Sequence, residues 1–124
     1  MWCSYDPVTI LIVDEDLRFA FWLGRLLIGA GYRAWPARTG PDAITLLNEM
    51  GGKLDLLVVN PYSRGAEDLV DALRLHRKFK AIATRRRDEA PVLEGMDAAL
   101  VKPHPIDALS AIEWIDAIDR VLAS

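Results

Sequence analysis

The sequence predicts an α/β domain built on a doubly wound, five-stranded parallel sheet with helices on both faces. Three observations predict it. Short β-branched apolar runs alternate with helical stretches along almost the whole chain. The runs are too apolar to be half-exposed strands, so both of their faces must be covered. Parallel strands also need crossover connections, and right-handed crossovers place the intervening helices above and below the sheet.

The first run, Val8-Thr9-Ile10-Leu11-Ile12-Val13, reads as a central strand. Asp14-Glu15-Asp16 follows at once, and a helix is expected from Leu17 to Gly29, stopped by Gly29 and Gly31. Tyr32 to Ala37 suits a second strand. Thr39-Gly40-Pro41-Asp42 then supplies a capping region with proline in the first turn of a helix that runs to about Met50. After Gly51-Gly52 comes a buried third strand, Leu54 to Val59. A helix from about Ala66 to Lys78 follows, with Leu69, Val70, Leu73 and Leu75 at helical spacing. Lys80 to Thr84 and Ala98 to Val101 read as the last two strands, and Ile106 to Leu122 as the final helix. Between those strands, Arg85-Arg86-Arg87-Asp88-Glu89-Ala90-Pro91 has little apolar periodicity, and Pro91 restricts a helix to the residues after it. No repeat, linker or low-complexity tract divides the chain, so residues 1–124 are expected to form one domain.

A length of 124 residues suffices to bury a core without disulfides or a structural metal. Cys3 is the one cysteine, so no intrachain disulfide can form, and a reducing, cytoplasmic setting is expected. The longest apolar stretches are broken well before membrane-spanning length, and no signal-peptide pattern opens the chain. A formal net charge of −3 provides no overall attraction to nucleic acid. His76 and His104 are isolated from each other and from Cys3, and both are expected to be solvated rather than metal-bound.

Ligands of doubly wound sheets bind at the carboxyl ends of the strands. That rule singles out Asp14, Glu15, Asn60, Thr84 and Lys102. The set Ile12-Val13-Asp14-Glu15-Asp16, Leu57-Val58-Val59-Asn60, Thr84 and Val101-Lys102-Pro103 resembles the receiver domain of two-component response regulators, over roughly residues 8 to 123. The resemblance implies the flavodoxin-like strand order 2-1-3-4-5 and a phosphorelay signalling role without enzymatic activity. It also implies that Asp14 and Glu15 stand where an acidic pair holds magnesium, and Thr84 and Lys102 where the phosphoryl group is contacted. A hard dication prefers carboxylate oxygens, and a lysine neutralises charge on a transferring phosphoryl group from the other side.

Asn60 occupies the position of the phosphorylated aspartate. An amide is too poor a nucleophile to attack phosphorus, so an aspartyl phosphate cannot form there. One negative charge is also lost, which leaves Asp14 and Glu15 as a weakened magnesium site; no cofactor is expected to be required. Pro61, lacking a backbone N–H, blocks the cyclisation by which Asn60 would deamidate. Ala99 stands three residues before Lys102, where the family usually has an aromatic switch residue. The segments from Asn60 to Thr84 and from Thr84 to Lys102 each fall short of the family by about four residues, roughly one helical turn.

These departures imply a degenerate receiver acting through protein contacts, with a sensor kinase, an output domain or a second copy as partner. Helix one is apolar on almost every side and the last helix carries a wide apolar arc, which makes Trp22 and Trp114 the expected interface residues. Two alternatives stay open: phosphate acceptance elsewhere, with Ser63 the nearest hydroxyl, and nucleic-acid or anion binding through the run Arg74 to Arg87, which holds Arg74, Arg77, Lys78, Lys80, Arg85, Arg86 and Arg87 and no acid. A salt bridge between Lys102 and Asp14 is the competing, purely structural reading of that pair.

Overall fold

A computed structural model describes residues 7–91, 94–103 and 106–124. Five parallel strands stand in the order β2-β1-β3-β4-β5: β1 Thr9–Val13, β2 Arg33–Ala37, β3 Leu56–Val59, β4 Lys80–Arg85 and β5 Ala98–Val101. Four helices connect or follow them: α1 Leu17–Gly29, α2 Gly40–Glu49, α3 Ala66–Arg74 and α4 Ala108–Ala123. The expected sheet and strand order are both present.

The period-two alternation of a strand divides the core in two. Ile10, Ile12, Leu56, Val58 and Ile82 face α1 and α4, where Phe19, Leu23, Leu27, Trp114 and Ile118 cover them. Leu11, Val13, Leu57 and Val59 face the opposite way, onto Ala43 and Leu47 of α2 and Leu69, Val70 and Leu73 of α3. Every residue of β1 and β3 is buried, as central parallel strands require. Among the described residues, no helix is long and apolar enough to cross a membrane.

Local sequence explains the helix starts. Asp16 caps α1 by accepting a hydrogen bond from the Phe19 amide, Thr39 caps α2 through the Asp42 amide, and Asp107 caps α4 through the Ser110 amide. In α3 the cap is Gly65, whose φ of 73° lies in the left-handed region and leaves room for α2 to approach. A methyl group on Gly40 would run into the Gly65 carbonyl oxygen, and the Gly40 amide donates to Arg64 O at 2.8 Å.

Two expectations need correction, the end of α3 and the exposure of Trp114. Helix α3 ends at Arg74 rather than Lys78, because the amides of His76 and Arg77 turn back onto Leu73 O and Arg77 is tied to Gly52 O. Leu75, expected on its apolar face, is consequently 80% exposed. Trp114 is only 4% exposed: its ring meets Phe19 edge-on at 5.3 Å and closes the core between α1 and α4. Apolar exposure on α4 falls instead on Leu109 and Ile112. Between β4 and β5, the described residues form turns and no helix.

Candidate functional site

The carboxyl ends of β1, β3, β4 and β5 meet at one edge, and the residues that follow them converge there. Asp14, the first residue after β1, is 1% exposed, and its amide is held by Ala37 O at 3.0 Å. Its Oδ2 accepts from Lys102 Nζ at 3.0 Å, and its Oδ1 from the Asp16 amide at 2.9 Å and Asn60 Nδ2 at 3.3 Å. Lys102 also lies 3.7 Å from Asp16 Oδ2, and its ammonium sits 5.2 Å from the centre of the Phe19 ring. This partly buried cation therefore has a carboxylate on one side, a second acid at the rim and an aromatic ring nearby.

Asn60 is satisfied at both ends of its amide. Its nitrogen donates to Asp14 and its oxygen accepts from the Tyr62 amide at 3.0 Å. A carboxylate in that position has no proton for Asp14 and would face it as a like charge. Glu15 points elsewhere: its Oε2 accepts from the Arg64 amide at 3.1 Å, and its own amide donates to Ser63 Oγ at 3.3 Å. Ser63, the alternative phosphate acceptor, is 6% exposed. Thr84 is buried at the end of β4, and its hydroxyl has no hydrogen-bond partner among the described residues.

These placements decide how well the donors suit magnesium, which the fold family implies. Both oxygens of Asp14 already accept hydrogen bonds, one of them from an ammonium, while a Glu15 oxygen is turned onto the loop at Arg64. Among the described residues, no three His, Cys, Asp or Glu side chains come together as a metal cluster. As arranged, the residues do not fit a dication that needs several free carboxylate oxygens. Lys102 takes the neutralising role for Asp14.

The basic run does not form one surface. Arg74 donates to Gly95 O and lies 5.2 Å from the centre of the Phe79 ring, and Arg77 donates to Gly52 O. Lys80 reaches Ser124. Arg85 turns onto the carbonyls of Arg86, Arg87 and Glu89. His76 is exposed; Cys3 and His104 lie outside the described residues. Trp22 is half-buried, with its ring 6.0 Å from Phe19.

Sequence reasoning passed over Asp16, Phe19 and Arg18. Asp16 carried a signal as a capping residue between an acidic pair and a helix, but its second contact with Lys102 depends on the fold. Beside Asp16 and Lys102 opens a cleft of about 690 Å³, lined also by Arg18, Phe19, Arg86, Arg87 and Ile106. Nothing in the spacing of these residues announces it.

The sequence matches no protein-family model and no curated protein. Solved structures do match. A response regulator receiver protein from Burkholderia phymatum superposes with a TM-score of 0.74 at 22% identity, over 95% of this chain and 96% of that one. A CheY-like receiver domain protein from Methanospirillum hungatei gives 0.72 at 22% identity, over 95% of each chain. The N-terminal domain of a response regulator/sensory box/GGDEF 3-domain protein from Carboxydothermus hydrogenoformans gives 0.72 at 18% identity, over 93% and 94%. The chain thus has the CheY-like, flavodoxin-type fold of response regulator receivers, carried on a divergent sequence.

Proposed function

We propose that this chain is a receiver-like signalling module of the two-component type that works by protein contact and takes no phosphoryl group at Asn60. The observation that carries the proposal is the closed circuit at the strand ends, in which Asn60 and Lys102 both spend their donors on Asp14. A working acceptor needs a nucleophilic carboxylate and a metal to offset the charge. Here the acceptor is an amide and the nearest carboxylate is already neutralised by lysine. Magnesium is not required for this role. The exposed side chains Leu109 and Ile112 on α4, with Phe21 and Ile28 on α1, supply apolar contact area for a kinase, an output domain or a second copy. A cytoplasmic setting suits such a module.

Intact-mass spectrometry after incubation with acetyl phosphate and magnesium tests the reading. Wild type is expected to gain no phosphoryl mass. A stoichiometric gain that disappears in Ser63→Ala would overturn it in favour of a hydroxyl acceptor. Beryllofluoride with magnesium separates loss of the acceptor from decay of the pocket: wild-type amide NMR shifts should not move, and Asn60→Asp, which adds a carboxylate beside Asp14, is the variant able to respond.

A further inference from the structure

We infer that the cleft beside Lys102 binds an organic phosphate of about nucleoside-diphosphate size, with its phosphates held between Arg18 and Arg87. The cleft lies on the α1 side of Lys102, and neither Asn60 nor Thr84 lines it. The inference therefore does not depend on the contact reading above.

Charge comes first. Four cations, Arg18, Arg86, Arg87 and Lys102, face this space with one acid, Asp16. Lys102 is already neutralised by Asp14 and Asp16. Arg86 lies 3.6 Å from Glu89 and 4.0 Å from Asp88, both on its own turn. Among the described residues, neither Arg18 nor Arg87 has a carboxylate partner. The cleft is thus left with two unneutralised guanidinium groups, a complement for a phosphate ester or diphosphate.

The loop that presents them is also organised in advance. Arg85 Nη1 donates to the carbonyls of Arg86, Arg87 and Glu89 at 3.4, 3.3 and 2.9 Å. Glu89 closes the same turn, accepting from the Arg86 amide at 2.7 Å while its own amide donates to Arg86 O at 3.0 Å. Three consecutive arginines on one tight turn repel each other; Arg85 and Arg86 both bond within that turn, whereas the Arg87 side chain has no carboxylate partner among the described residues. An anion between Arg87 and Arg18 would relieve the repulsion and gain from a site whose geometry is already set.

Size and lining indicate the class of anion. A volume of about 690 Å³ far exceeds a bare phosphate and lies in the range of small-molecule sites. Phe19 and Ile106 add apolar lining beside the cations, Ile106 exposing the more of the two. That combination suits a ligand with a charged end and an apolar or planar body.

Titration of the ¹⁵N-labelled chain with ADP, in low salt without magnesium, tests the inference. Phe19 touches both Trp22 and Trp114, so their indole resonances report on the cleft alongside the backbone of residues 86–89. Saturable shifts at these positions are expected. Half-saturation should rise about tenfold in Arg18→Ala and in Arg87→Ala, as loss of one charge-assisted contact implies, and should stay unchanged in Arg33→Ala, an exposed arginine on β2. Pyrophosphate should displace ADP but bind more weakly. Shifts that never saturate, or equal weakening in Arg33→Ala, would overturn the site. Pyrophosphate binding as tightly as ADP would overturn the organic ligand. Neither result bears on acetyl phosphate chemistry at residue 60, which is read by mass.

Discussion

Lys102 is the residue on which the strand-end pocket depends. Its side chain is 10% exposed and that of Asp14 is 2% exposed, so each charge is acceptable there only because the other is 3.0 Å away. Removing one partner strands the other. Lys102→Met should lower unfolding free energy by about 3 kcal/mol in urea titrations, because Asp14 stays buried with only the Asn60 amide and one backbone N–H to solvate it. The double variant Asp14→Asn/Lys102→Met should recover more than half of that loss. If the two changes simply add, the pair is not coupled. Asn60 adds to the argument at this scale: its amide both donates and accepts, which a carboxylate cannot do, so the present network is arranged around asparagine.

At the scale of elements, the start of α2 and the start of α3 approach so closely that a Cβ on Gly40 would collide with the Gly65 backbone. Gly40 and Gly65 meet directly, and Gly65 also takes the left-handed conformation that ends the 60–65 loop. That loop carries Asn60, Ser63 and Arg64, so the glycine pair sets the position of the exit from β3. Gly40→Ala should destabilise the fold by about 2 kcal/mol, since backbone atoms on the facing loop cannot move aside as a flexible side chain would. Thermal unfolding measures the loss, and NMR shifts around Asn60 and Glu15 should move with it. A variant with unchanged melting would show that the two helix starts are not in rigid contact. The absence of a helix among the described residues between β4 and β5 is an element-scale fact too. With residues 86–91 outside any helix, Arg86 and Arg87 line the cleft.

For the molecule as a whole, the seam between α1 and α4 joins the first and last helices. Phe19 lies along it with Trp22 tilted against it and Trp114 edge-on, and near it Tyr32 donates a hydrogen bond to Asp119. Burial, then the hydrogen bond and the negative charge of Asp119, push the Tyr32 hydroxyl up to about 12 from its ordinary value of 10.0. The folded state therefore holds this proton more tightly than the unfolded state does. The resulting stability is complete below pH 10 and is lost as pH rises toward 12. Urea unfolding at alkaline pH should show that decline, and Tyr32→Phe should flatten it. At the acid end, hydrogen bonds from the Ser110 amide and hydroxyl hold Asp107 below its usual 3.8, so the α4 cap weakens as pH falls through that region.

Much of this architecture was legible in the order of residues alone. β-Branched runs, acidic turns and capping residues act over a few positions, and they located all five strands, the start of α1 at Leu17 and the cluster Asp14, Asn60, Thr84 and Lys102 at one edge. Such signals are local, or follow from a topology that local signals determine. What the tertiary structure alone decided depends on neighbours distant in sequence. Trp114 is interior because Phe19, almost a hundred positions away, meets its ring. Glu15 faces the 63–64 loop because a backbone amide waits there. Arg18 joins Arg87 around one cleft because the start of α1 and the turn after β4 both follow carboxyl ends of strands at the same edge of the sheet. Periodicity states that a side chain is apolar or charged, but only packing selects which group comes to meet it.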